Sequence, residues 1–101
     1  MLYILCVASA LAALSLDWLQ TLTIAGHPQT FTEVNPILGR HPAKWQVSLY
    51  FIACMLLTLL VAVALYVTGH TTIGICLAIA LALFEAVVVI RNKVLGVGLL
   101  G

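Results

Sequence analysis

Three apolar stretches, at 2–25, 45–67 and 71–90, restrict the fold of this chain more than any other feature. A bilayer core about 30 Å thick is crossed by roughly 20 helical residues at about 1.5 Å each, and each stretch reaches that length. In lipid the backbone must satisfy its own N–H and C=O groups, which leaves helices or closed barrels. None of the stretches alternates with period two, so each reads as a helix. The only formally charged residues are Asp17, Glu33, Arg40, Lys44, Glu85, Arg91 and Lys93, 7% of the chain, against 64% hydrophobic and a mean hydropathy of +1.24. A soluble domain carries about a quarter charged residues to solvate its surface. The chain therefore reads as all-α, one integral membrane domain over 1–101 with three transmembrane helices, whose first partner is the lipid bilayer. A net charge of +1 offers no patch for nucleic acid.

The first stretch reads as a retained span: it has no positive leading region, and its apolar run continues past the small residues at 8–10. Cys6, Cys54 and Cys76 each sit inside an apolar run. Their odd number and unpaired spacing point to small buried hydrophobes rather than a disulfide framework or a zinc site, with a Cys6–Cys76 bridge as the one alternative.

The second and third helices are separated by Thr68, Gly69 and His70, which requires an antiparallel hairpin with Gly69 just past the helix end. The other connection, 26–44, is long and holds all three prolines. With three spans this loop shares a side with the C-terminus. Arg40, Lys44, Arg91 and Lys93 then all fall on that side, which the positive-inside rule assigns to the cytoplasm, N-out and C-in. Trp45 and Tyr66 bracket the second helix as interfacial anchors.

Two acids interrupt the apolar spans. Counted from the expected helix ends, Asp17 and Glu85 lie about 12 Å and 9 Å below the cytoplasmic boundary. An ionised carboxylate near the bilayer centre costs on the order of 2.5–3.5 kcal/mol on insertion scales, so such residues face protein, pair or take up a proton. At about 100° per residue, Cys6, Ala10, Ala13, Asp17, Gln20 and Thr21 share one face of the first helix. On the third, Gly74, Ala78, Ala82 and Ala86 recur every fourth residue beside Glu85, a stripe that lets helices approach closely. Cys54, Thr58 and Ala62 make a similarly smooth face on the second.

Each acid has a structural and a functional reading. Asp17 is packing glue bonded to Gln20, Thr21 or backbone, and Glu85 is a protonated acid or a partner for Arg91 or Lys93. Alternatively Asp17, Thr21, Glu33, Asn35 and Glu85 form one polar site able to carry a proton. In the loop, FTEVNPILGRHP (31–42) places Asn35 as a helix N-cap with Pro36 in the first turn, a short apolar turn at Ile37 and Leu38, and a stop at Gly39. The loop is thus expected to be a structured, Pro-rich cap, with Glu33 near the exposed N–H groups. His27, His41 and His70 lack ligand spacing and read as interfacial loop residues, so no metal or cofactor is expected.

Asp17-x-x-x-Thr21, then Glu33-x-Asn35-Pro36-Ile37-Leu38-Gly39-Arg40-His41-Pro42, then Val47-x-x-Tyr50-Phe51 resembles small membrane proteins of bacteria and tailed phages in an uncharacterised family, a domain of unknown function. The resemblance spans about 15–55, and the third helix matches in general character. It implies a prokaryotic or phage inner-membrane setting and supplies no catalytic roles.

Two function classes follow. The first is a non-enzymatic membrane protein working through helix association as a homo-oligomer, with the stripe on the third helix as its self-packing face. A holin-like, pore-forming protein or one that modulates a host membrane protein would be a version of it. Holins of this size share three spans and N-out, C-in topology, but often end in a strongly charged tail, where this chain has KVLGVGLLG. The second is an intramembrane enzyme or proton-coupled carrier built on the buried carboxylates.

Overall fold

The computed structural model describes residues 1–27 and 43–96. These form three helices, α1 (Leu2–Gly26), α2 (Lys44–Val67) and α3 (Thr71–Val94). All three are long and apolar enough to cross a membrane. The structured loop expected at 26–44, with Glu33, Asn35 and the Asn35-Pro36 helix start, lies almost wholly outside the described residues.

Helix ends follow local chemistry. His27 precedes Pro28, whose ring disfavours the helical region for its neighbour, and its backbone turns away at φ −133°, ψ 60°. At the start of α2, Gln46 reaches back so that its Oε1 accepts the Ala43 N–H at 2.9 Å, which is half of a capping box. α2 ends in a Schellman turn: His70 N–H donates to Leu65 C=O at 2.8 Å and Gly69 N–H to Tyr66 C=O at 3.2 Å. Gly69 sits at φ +80°, as its expected place past the helix end requires. α3 ends four residues beyond the sequence expectation of 90. Arg91, Asn92 and Lys93 occupy its last turn, where cations favour the helix dipole, and Gly96 at φ +91° terminates it.

Side-chain contacts fix the packing direction. Tyr3 meets Tyr66 and Ala62 of α2, while Trp18 meets Ser48 and Phe51, so α1 and α2 are antiparallel. Tyr3 also lies against Gly74, and Gln20 bonds Val89 and Asn92, so α1 and α3 run parallel. α1 is the central element. Its contact with α3 is the most extensive, and the consecutive helices α2 and α3 touch least.

Burial is inverted relative to a water-soluble bundle. Asp17, Gln20, Thr21, Thr23, Glu85 and Asn92 are buried, whereas large apolar side chains such as Leu5, Leu60, Val63, Leu83, Phe84 and Val87 face outward. The apolar core is small: Leu14, Val47 and Phe51, flanked by Trp18, Leu22 and Leu81 among others. Trp18 stacks on Phe51 at 7° with ring centroids 6.5 Å apart, and its indole N–H donates to Ser48 Oγ at 3.3 Å. Polar groups inside and hydrocarbon outside is the arrangement that lipid solvates, and the chain is a multi-pass membrane protein.

Candidate functional site

The polar seam between α1 and α3 arises from helical periodicity on both sides. On α1, Leu14, Asp17, Thr21 and Ile24 recur at three- and four-residue steps, with Gln20 beside them. On α3, Gly74, Ala78, Glu85 and Asn92 are separated by four, seven and seven residues, which keeps them on one face. Asp17 and Glu85 each lie nine residues before the end of their helix, about 14 Å along the axis, so the parallel pair brings them to one level.

At that level Asp17 of α1 and Glu85 of α3 face one another across the contact between the two helices. Both are buried, at 9% and 7% exposure. Two carboxyl groups can hydrogen-bond only if one proton lies between them, since an ionised carboxylate is an acceptor alone. Thr21 Oγ1 supports Asp17 from one turn away, 2.7 Å from its carbonyl oxygen and 3.1 Å from its Oδ1. Glu85 Oε2 is buried with no hydrogen-bond partner. A buried acceptor left in that condition costs about 1–3 kcal/mol.

Below the carboxyl pair a second set of bonds locks the helices. Gln20, 2% exposed, donates from Nε2 to Val89 C=O at 3.0 Å, and its Oε1 accepts from Asn92 Nδ2 at 3.1 Å. A helical carbonyl has a second lone pair, so Val89 accepts this bond without breaking its ladder. At the opposite end, the Tyr3 hydroxyl donates to Ala62 C=O on α2, and its ring fills the space above Gly74. A Cβ at Gly74 would lie 2.5 Å from the Tyr3 hydroxyl and ring edge.

Several sequence expectations meet this geometry directly. The structure brings Asp17, Thr21 and Glu85 together; Glu33 and Asn35, the other two members of the expected site, lie outside the described residues. Of the expected Asp17 partners, Thr21 is in place, but Gln20 turns instead to α3. Glu85 meets Asp17, while Arg91 and Lys93 are exposed at the helix end, so the ion pairing read for Glu85 is replaced by a carboxyl pair. In the stripe, Gly74 and Ala78 are buried and Ala82 and Ala86 half-buried within a single chain, with Gly74 against Tyr3. At its Gly74 end, the face read as available for self-association lies against α1. All three cysteines are free.

Asn92 lies beyond the third span as the sequence delimits it, at 90, and so has no place in the expected site. A signal for it exists nonetheless: it follows Glu85 by seven residues, two helical turns on the same face. Tyr3 and the Trp18–Ser48 contact carry no pattern in the sequence that singles them out.

Two buried carboxyls at one level supply acceptors between which a proton can be held. A groove of about 220 Å³ between the helices is lined by Val7, Thr58, Ala62, Gly74, Ala78 and Leu81 among others, and by neither carboxyl-bearing residue. No protein-family model, curated protein or solved structure matches the chain.

Proposed function

We propose that this chain is a small multi-pass membrane protein whose working part is a proton-binding carboxyl pair, Asp17 and Glu85, coupled to the packing of α1 against α3. The observation that carries the reading is the burial of two acids at one level of a parallel helix pair. Loss of the shared proton leaves two like charges in a low-dielectric contact, which drives the helices apart or draws in a counter-charge. Uptake restores the contact. Such a cycle is the elementary step of a proton-coupled carrier or of a protonation-gated switch, and needs no nucleophile.

The setting proposed is a bacterial inner membrane, from the family resemblance, with N-out, C-in orientation from the cationic side chains. Infrared spectroscopy of the protein in bilayers tests the pair directly. Wild type should show a protonated carboxyl band that Glu85→Gln or Asp17→Asn removes. Proteoliposomes should dissipate an imposed pH gradient faster than empty vesicles, and Glu85→Gln should abolish the difference. A band unchanged by either substitution would end the proposal.

A second reading, helix association as a homo-oligomer, is favoured by α2, on which only Val47 and Phe51 are buried. Its outward face is open to further copies or to another membrane protein, and three helices alone do not surround a pathway. Holin-like pore formation is the concrete version. Depolarisation on induced expression supports it, and intact membrane potential at high expression counts against it.

A further inference from the structure

We propose that the Asp17–Glu85 pair is an exchange site at which a small monovalent cation, sodium or lithium, takes the place of the shared proton. The inference rests on the proton-binding reading and names the second occupant of that site.

Glu85 Oε2 is the starting observation. It belongs to a side chain more than nine-tenths buried, lies in the contact between α1 and α3, and has no partner. No neighbouring donor bonds to it. Thr21 directs its hydroxyl to Asp17, and the Asn92 amide donates to Gln20, whose own amide donates to Val89. An acceptor in that position is completed by a donor or by a cation. The side-chain groups that the seam offers at this level are hard oxygens: the two carboxyls, and the Thr21 hydroxyl that bonds Asp17. Hard oxygen donors select hard cations.

Charge balance favours a monovalent ion. With one proton the pair carries a single negative charge, and with a monovalent cation in place of that proton it carries the same. Exchange therefore leaves the charge of the buried seam unchanged. A calcium ion takes six to eight oxygen ligands, and magnesium retains several waters in strict octahedral geometry; two carboxyls and one hydroxyl fit neither. The exchange balances as one proton released for each cation bound. Among the described residues, Asp17 is the titratable group that faces Glu85. The titratable groups of α2 lie elsewhere: Lys44 beside Gly26, Tyr50 and Cys54 against the apolar core, and Tyr66 against Tyr3. Arg91 and Lys93 on α3 are exposed.

The test uses the full chain in lipid nanodiscs at constant ionic strength, with sodium or lithium chloride against choline chloride as the control. Thermal unfolding should shift upward with sodium concentration at alkaline pH, as for any ligand that binds the folded state. In weak buffer, about one proton should appear per sodium bound, and the apparent affinity should fall about tenfold per unit of acidification where the proton holds the site. Glu85→Gln and Asp17→Asn should abolish the shift and the proton release, while Asn92→Ala, which leaves both carboxyls in place, should retain both. Equal unfolding temperatures in sodium, lithium and choline, or a sodium shift that survives Glu85→Gln, would overturn the exchange site. If the Glu85-dependent infrared band persists in that case, the proton reading stands and only the cation fails; if the band is absent too, both fall.

Discussion

Gln20 uses both ends of its amide inside the protein, giving its N–H to Val89 and taking one from Asn92. Inter-helical hydrogen bonds in membranes are worth about 0.6 kcal/mol on average and rarely more than about 1.7, because the separated helices also find partners. Gln20→Ala and Asn92→Ala should each destabilise the bundle, and the double variant should lose less than the sum of the two. A coupling energy of about 0.6 kcal/mol is expected from a double-mutant cycle of unfolding in micelles or bicelles. Additive losses would show that the amides do not act as a pair. At this scale the sequence is informative where a helical face can be drawn. Asp17, Gln20 and Thr21 fall on one stripe, and Glu85 beside another. Which group Gln20 chooses is not readable, because Thr21, Asp17 and the far helix all lie within its reach. That choice depends on the register of α1 against α3, which no local pattern encodes.

Two glycines make the elements what they are, for different reasons. Gly69 occupies left-handed torsion space, and a Cβ there would meet nothing within 4 Å, so its role is conformational alone. Gly69→Ala should cost about 1–2 kcal/mol from the strained backbone, and Gly69→Asn less, measured as the unfolding free energy. Gly74 has no such backbone need; it makes room for Tyr3. Gly74→Ala should swing the Tyr3 ring out, break its bond to the Ala62 carbonyl and cost about 1–3 kcal/mol by overpacking. Tyr3→Ala should make a following Gly74→Ala nearly free. The turn at Gly69 is legible because a three-residue link between long helices leaves few solutions. The Gly74, Ala78, Ala82, Ala86 stripe is legible as a close-approach surface but not as to its partner. A smooth face fits another copy or a neighbouring helix equally well, and only the fold shows α1 lying on it. The end of α3 is misplaced in the sequence because Arg91 and Lys93 look like a membrane boundary, although a helix can run past its cations and still bury Asn92.

As a whole, the molecule places polar groups between helices and hydrocarbon toward its surroundings, so lipid is the solvent that makes this packing stable. That much is readable from a 7% charge content and three long apolar runs. With Cys6, Cys54 and Cys76 replaced by alanine, thiols introduced at 70 and 93 should react with impermeant reagents from opposite sides of the membrane. Reaction of both from one side would rule out three spans. The claim on which the rest depends is that Asp17 and Glu85 meet between α1 and α3. Asp17 is the sole aspartate, and Glu33 and Glu85 are the two glutamates. Solid-state NMR of protein carrying ¹³C-labelled aspartate and glutamate in bilayers can therefore report the contact without a perturbing probe. A through-space cross-peak between the aspartate and glutamate side-chain carboxyls should survive Glu33→Gln and vanish in Glu85→Gln. Absence of that peak, or its persistence in Glu85→Gln, would contradict the paired arrangement.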